Sequence, residues 1–412
     1  MTVSSPLPGS KLVYYAPRDV LIPRVARQCI MRFCEGLDRI GVDVELVSLG
    51  IRLKHDEPTR HRSLWDVYGI ERPFPLRILP AVSSQDSPQW LVEVQRAASY
   101  RLQAFWRYSV RGDLRRRERT IFYFRNLRSM APLLALRRRH PDRVAAIIEL
   151  HSPVPEQHGS VLQRVDGVVC ISRALADDTR ERFGLDPARI TVAHTGVNLE
   201  AIERVRVSAA EARTRLGLPL DARIVAYTGK VHRENREIHL LLGAARRLPS
   251  DVLLVIVGER DDQVEHFRGL VREAGVANVR FTGFVAPADV PAYQLAADAL
   301  VLYYPSEIAF NDYRSPAKLF EYLAAGRPIV ASDYRSLHEV LDESCAVFVP
   351  PDRPEALASA LAEVLADPGR SARLGAEALA RAGACTWEAR ARHVAAFLRG
   401  LSPGRDRPPG GP

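Results

Sequence analysis

Cysteine is scarce. There are five in 412 residues, at positions 29, 34, 170, 345 and 385, an odd number with no Cys-x-x-Cys pair. That argues against a disulfide frame and a zinc knuckle, and it fits a reducing, cytoplasmic setting. No apolar run approaches the roughly 18–20 residues that span a bilayer. The opening MTVSSPLPGS lacks a charged segment followed by an apolar one, so a secretory signal is not expected. No Gly-x-Gly-x-x-Gly follows any apolar run of strand length, which argues against a dinucleotide dehydrogenase, and the absence of Gly-x4-Gly-Lys-[Ser/Thr] excludes a P-loop enzyme. No Asp-x-Asp stands at a strand end, so no metal and no cofactor are implied. Acidic residues are outnumbered, 49 to 58, for a formal net charge of +9. Much of the basic excess lies in RGDLRRRERT (111–120) and LRRRHPDR (136–143). These read either as solvated helix faces or as a surface for anionic lipid, peripheral on the inner face of a membrane. Without a zinc finger, helix-turn-helix or RNP-type aromatic motif, nucleic acid is not expected as a partner.

What is present is alternation. Strand-length apolar runs (KLVYYAP, VDVELVSL, VAAIIELH, GVVCIS, ITVAHTG) are separated by helix-length amphipathic segments, and the pattern restarts with RIVAYTG, DVLLVIVGE, VRFTGFV, DALVLYYP and AVFVPP. Continuous Val/Ile/Leu runs between helices predict parallel strands covered on both faces. The chain is therefore read as two doubly wound, Rossmann-like α/β domains, 1–205 and 206–385, followed by a helix over 386–401 that returns toward the first domain and a Pro/Gly-rich disordered tail over 402–412. Ligands of such sheets bind beyond the carboxyl ends of the strands.

One stretch there is chemically informative: SPAKLFEYLAAGRPIVASD, 315–333. Ser315 reads as an N-cap and Pro316 as the first helical residue, with Gly326 ending the helix. Lys318 then falls at the third helical position, where the helix dipole disfavours a cation. Either it is a solvated partner of Glu321 at i+3, or the first-turn N–H groups and Lys318 together await a phosphate. In the second case Glu321, one turn deeper, would hold an attached ribose, and Leu319, Phe320 and Leu323 would form the buried side. A second basic cluster, Lys230, Arg233 and Arg236, follows the turn at Gly229 in YTGKVHRENREIHLLL. Two basic helix starts in one domain suit a pyrophosphate.

On these residues the second half resembles the C-terminal domain of retaining family 4 glycosyltransferases of GT-B fold, whose two Rossmann-like domains face a central cleft. KLFEYLAAGRPIVASD is similar to the family's Glu-Ala-Met-Ala-x-Gly-x-Pro-Val block, and TGKVHRENRE to its Gly-Arg-Leu…Lys-Gly stretch. The resemblance implies a transfer of hexosyl type from a UDP- or GDP-sugar, with retention at the anomeric carbon. It implies that Lys230 and Arg236 stabilise the leaving diphosphate, that Gly229, Arg314, Ser315, Pro316, Lys318 and Leu319 cradle the donor, and that Glu321 binds ribose. FTGFV, 281–285, would meet the base near Phe284 and Val285. The looser match in the first half puts His151, in IIELHSP, beside the donor sugar. Arg18, Asp19 and Arg24 are the acceptor-side candidates.

Two features depart from the family. Tyr313 stands where the first glutamate of a pair is usual, with Glu307 and Asp312 nearby, and no Gly-Gly loop follows the first strand. The expected acceptor is a lipid-linked or growing surface glycan, or a small molecule. A hydrolysing sugar-nucleotide epimerase and a non-catalytic sugar-nucleotide binder are the rival readings.

Overall fold

The computed structural model describes residues 4–16, 19–21, 25–52, 63–84, 87–130, 133–229, 237–258 and 261–401. The tail over 402–412 lies outside them. The chain divides into two compact units, Met1–Gly196 with Trp387–Pro412, and Val197–Thr386.

The first unit is built on a seven-stranded sheet. Its strands are β1 (Ser10–Tyr15), β2 (Asp43–Arg52), β3 (Leu76–Ser84), β4 (Arg119–Phe124), β5 (Val144–Leu150), β6 (Gly167–Cys170) and β7 (Ile190–Val192), in the order β3-β2-β1-β4-β5-β6-β7. Every pairing is parallel. β5 is buried at all seven positions, as a strand covered on both faces must be. The second unit repeats the plan with β8 (Arg223–Thr228), β9 (Val252–Val257), β10 (Val279–Phe281), β11 (Ala299–Leu302), β12 (Ile329–Ser332) and β13 (Ala346–Val349), all parallel, ordered β10-β9-β8-β11-β12-β13. The strand order reverses direction beside β1 in one sheet and beside β8 in the other, and such switch points are where open α/β sheets leave a crevice.

Six helices matter below: α1 (Val25–Arg39), α2 (Gln89–Phe105), α3 (Glu237–Ala245), α4 (Val290–Ala296), α5 (Ala317–Ala325) and α6 (Trp387–Gly400). α6 belongs to the first unit, where Trp387, Ala391, Val394 and Leu398 join the core formed by α1 and the sheet. The two helices meet closely at Gly36, where a Cβ would lie 2.8 Å from the Trp387 carbonyl oxygen. Strands β3 and β4 and helix α2 are additions that the sequence pattern did not single out. β3 carries Pro80 and sits at a sheet edge, and β4 begins inside the arginine-rich 111–120 segment. No helix among the described residues is long and apolar enough to cross a membrane.

Candidate functional site

In the second unit, α5 starts one residue later than its sequence suggests. Pro316 is the N-cap, with extended ψ of 135° and no side-chain bond to the first turn, so Ser315 lies outside and Lys318 is the second helical residue. A proline has no side-chain oxygen, which leaves the leading N–H groups of α5 without a side-chain cap. Leu319, Phe320 and Leu323 are buried, and Gly326 closes the helix at φ 67°.

Lys318 and Glu321 do not form an ion pair. The Lys318 ammonium sits 3.7 Å from the ring centre of Tyr227 and 5.0 Å from that of Tyr304. Glu321 Oε2 instead accepts from Gln294 Nε2 of α4 at 3.1 Å. The same Gln294 nitrogen donates to Thr228 Oγ1 at 3.2 Å, and Gln294 Oε1 is buried without a partner among the described residues. Tyr227 donates from its hydroxyl to Glu237 Oε1, at the start of α3, at 2.6 Å. Desolvation lowers the Lys318 ammonium to about 8, reinforced by Arg314 and opposed by Glu237 and Glu321. Desolvation raises the Glu321 carboxyl, opposed by Gln294 and Lys318.

Arg314 repeats this arrangement. Its guanidinium lies 4.5 Å from the Tyr304 ring centre and 4.4 Å from that of Phe310. Its Nε is buried and unpartnered among the described residues. Two cations thus rest on aromatic faces, and neither has a carboxylate within 4.0 Å among the described residues. Cation–π contact compensates a charge only in part, and an anion would complete both.

Gly229 opens this place from the sheet side. It follows β8 with φ 121°, and a Cβ on it would stand 3.7 Å from Lys318 Nζ. Gly258 after β9 is also left-handed, at φ 103°, and packs against Gly229. Phe284, 61% exposed, and half-buried Val285 follow β10 at the same carboxyl edge. Glu307 and Asp312 are exposed, and Tyr313 is half-buried. Lys230, Arg233 and Arg236 lie outside the described residues, as do Arg18 and Arg24.

The first unit holds a second cluster at the carboxyl end of β5. Buried Glu149 takes Tyr123 Oη on Oε2 at 2.5 Å, Arg390 Nη2 of α6 on Oε2 at 3.0 Å, and His151 Nε2 on Oε1 at 2.5 Å. Arg125 Nη2 lies 2.8 Å from His151 Nδ1. A guanidinium can only donate, so Nδ1 accepts and the ring proton sits on Nε2, toward Glu149. A bond from either ring nitrogen to a sugar would displace one of these partners. Arg390 also donates from Nε to the His194 carbonyl at 2.9 Å and covers the Phe33 ring at 4.1 Å. Desolvation and then Arg125 lower His151 to about 4, against the pull of Glu149. Asp19 is buried, and its carboxylate accepts from the Leu21 N–H at 2.8 Å.

The lowered His151 has a measurable consequence. A histidine whose folded value lies below its unfolded one, about 6.5, stabilises fully only while neutral in both states, and loses that contribution as pH falls. Between pH 6.5 and about 4 the first unit is expected to lose on the order of 2 kcal/mol through this residue. Urea midpoints across that window check it. His151→Asn should flatten the slope, and an unchanged slope would assign the acid sensitivity elsewhere.

Tyr227, Tyr304, Gln294, Arg125, Glu149 and Arg390 were missed by sequence reasoning. The available signal was weak: a tyrosine is next to last in β8 and another lies two residues past β11, each upstream of a basic motif.

Comparison with known proteins bears on both units. Residues 222–367 match the family model described as Glycosyl transferases group 1, and residues 26–201 match Glycosyltransferase Family 4. Among curated relatives, a D-inositol 3-phosphate glycosyltransferase of Xylanimonas cellulosilytica is 33% identical over 251 residues, 57% of this chain and 58% of that protein. A protein of the same name from Streptomyces bingchenggensis is 29% identical, with 59% and 56% covered. The chain thus spans somewhat more than half the length of these relatives. Solved structures extend the likeness of fold. Sucrose-phosphate synthase of Thermosynechococcus elongatus superposes with TM-score 0.72 at 21% identity, over 95% of this chain and 99% of that one. HepE of Anabaena, solved in complex with UDP-glucose, gives 0.68 at 16% identity, over 95% and 100%. The fold is GT-B.

Proposed function

We propose that this chain, a member of the GT-B glycosyltransferases by its two family matches and its fold, transfers a hexosyl group from a nucleotide-diphosphate sugar to a hydroxyl acceptor with retention at the anomeric carbon. The observation that carries this reading is the pair of unneutralised cations, Lys318 and Arg314, on tyrosine and phenylalanine faces where α5 begins.

In this reading the diphosphate takes the uncapped N–H groups of α5 and the Lys318 ammonium, with Lys230 and Arg236 as further ligands. The backbone at Gly229 passes close by, without a side chain in the way. As the bond from anomeric carbon to phosphate oxygen breaks, negative charge grows on the leaving diphosphate. Fixed cations and helix dipoles stabilise it without having to reorganise. The acceptor oxygen forms the new bond on the same face of the sugar, and its proton passes to the departing phosphate oxygen. Glu321, oriented by Gln294, binds the ribose hydroxyls. The loop at Phe284 and Val285 takes the base. His151 contacts the sugar through Nδ1, exchanging Arg125 for a hydroxyl.

The donor is a UDP- or GDP-sugar, and UDP-glucose in the HepE complex supports the first. For the acceptor, the relatives named for inositol 3-phosphate support a small polyol beside the surface glycan that the motifs suggest.

A thermal-shift panel of UDP, GDP, ADP and dTDP tests the donor site. The matching diphosphate at a hundred times its dissociation constant should add about 2.7 kcal/mol to the second unit's stability. The corresponding labelled sugar should then move onto an added polyol or glycan. Stabilisation by none of the four would defeat the donor assignment, and free sugar released without any acceptor would favour the epimerase reading.

A further inference from the structure

Helix α2 is inside out. Its buried positions include Arg96, Tyr100 and Ala104, whereas Trp90, Leu91, Val94, Leu102 and Phe105, with Trp106 directly after it, are exposed. Spaced by three, four and eight, these residues share one face of the helix. The exposure is substantial, at 66% for Trp90, 69% for Leu102 and 46% for Trp106. The inward side is already committed: Tyr100 Oη donates to the Ala16 carbonyl at 2.8 Å, and Gln103 Oε1 accepts from Tyr15 Oη at 2.6 Å. The chain continues as a π-helical turn, Trp106–Arg111, in which Val110 is 66% exposed and Arg107 points inward to Glu45 and Asp113. Polar groups therefore serve the interior of this segment while its large apolar side chains face outward. Isolated exposed apolar residues need no explanation, but a contiguous stripe with two tryptophans does.

The surroundings of the stripe are cationic. From Trp90 to Glu118 the sequence holds seven arginines against three acidic residues, Glu93, Asp113 and Glu118, and five of the seven, all but the buried Arg96 and Arg107, lie on the outside. Arg101, Arg115 and Arg116 are exposed, and the Arg111 guanidinium lies 5.8 Å from the Trp106 ring centre. Tryptophan, phenylalanine and leucine on one face with arginines at its margin is the composition of a helix that lies in a bilayer interface. A second copy of this chain would bring the same arginines toward each other, so charge disfavours it as the occupant. Anionic lipid supplies both the apolar phase and the opposite charge.

We propose that the exposed face of Gln89–Phe105 and the following turn docks the first unit on an anionic lipid surface. The arginine-rich segments alone do not make this surface: Arg137 is held by Asp166, and Arg117 by Asp43. They supply the attraction, and the apolar stripe supplies the anchor. The inference does not rest on the transfer reading, because it uses none of the residues assigned there.

Co-sedimentation of the full chain with phosphatidylcholine vesicles, with and without phosphatidylglycerol, tests it. Binding is expected with phosphatidylglycerol at low salt, weaker at high salt as the charge attraction is screened. Each methylene returned to water weakens partition by a factor of about four, so Leu102→Glu and Trp106→Glu should each lose at least about tenfold. Both residues are exposed, so unchanged circular dichroism and melting should accompany the loss. Arg115→Glu with Arg116→Glu should remove the preference for phosphatidylglycerol. Absence of vesicle binding, or binding indifferent to Leu102→Glu and Trp106→Glu, would overturn the proposal. So would a dimer in sedimentation velocity that Leu102→Glu dissolves, because the face would then belong to a second copy.

Discussion

Glu149→Ala is expected to destabilise the first unit by about 3–5 kcal/mol, the cost of removing one partner from a buried charge cluster. Glu149, Arg390 and Arg125 have side chains only 4%, 5% and 10% exposed, so water does little to replace a missing partner. With the carboxylate gone, Arg390 and Arg125 remain as like charges beside the Tyr123 hydroxyl and the His151 Nε2 proton, both of which lose their acceptor. Glu149→Gln should cost less, since an amide oxygen still accepts, but it leaves both cations uncompensated. The pattern separates charge from shape: Arg390→Met, which keeps the contact with Phe33, should recover part of the loss in the Glu149→Ala background. Urea unfolding followed by a first-unit probe reads all three. A Glu149→Ala penalty below about 1 kcal/mol would mean that water already enters the cluster and that His151 is not held in one tautomer.

How much of this was legible in the sequence differs between the halves for physical reasons. The strands of the second unit announce themselves because burial on both faces demands unbroken apolar runs, and the 315–333 stretch carries its own punctuation, a proline at one end and a left-handed glycine at the other. The N-cap was misplaced by one residue because Ser315 has the better capping side chain, whereas the backbone turns helical only after Pro316. The lysine was visible and its environment was not. Tyr227 is next to last in β8 and Tyr304 lies two residues beyond β11, and only the β8–β11 pairing brings them together over Lys318. In the first half, Glu149 stands within VAAIIEL and Arg390 within an amphipathic helix, 241 positions apart. A buried arginine and a solvated one have the same letter, and nothing local marks Arg390 as the partner. The outward face of α2 escaped for the opposite reason. Its periodicity is that of an ordinary amphipathic helix, and sequence gives the stripe but not which way it points.

Lys318→Met is expected to stabilise the unliganded second unit while weakening a nucleoside diphosphate by roughly 1.5–3 kcal/mol, the range for hydrogen bonds to charged groups. The two effects share one cause. A lysine whose folded value has dropped to about 8, chiefly through desolvation, keeps its charge at neutral pH at a cost to the fold. Its unfolded value is near 10.4, so stability should rise as pH climbs through 8 toward that value. Methionine removes the cost, a gain on the order of 1 kcal/mol at pH 7 after screening. A bound diphosphate compensates the same charge and raises the lysine again, so binding takes up a proton once the free protein begins to lose it. Affinity should therefore be level just below pH 8 and fall above it, by at most about tenfold per pH unit. Lys318→Met should abolish that slope. Glu321→Ala, by contrast, should weaken nucleoside and diphosphate alike, because its proposed partner is the ribose. Calorimetry with uridine or guanosine and their diphosphates, across pH 7 to 9, reads every one of these differences. If Lys318→Met lowers stability and leaves diphosphate affinity and its pH dependence intact, then the contacts with Tyr227 and Tyr304 are the whole role of the lysine, and the anion site at the start of α5 is not there.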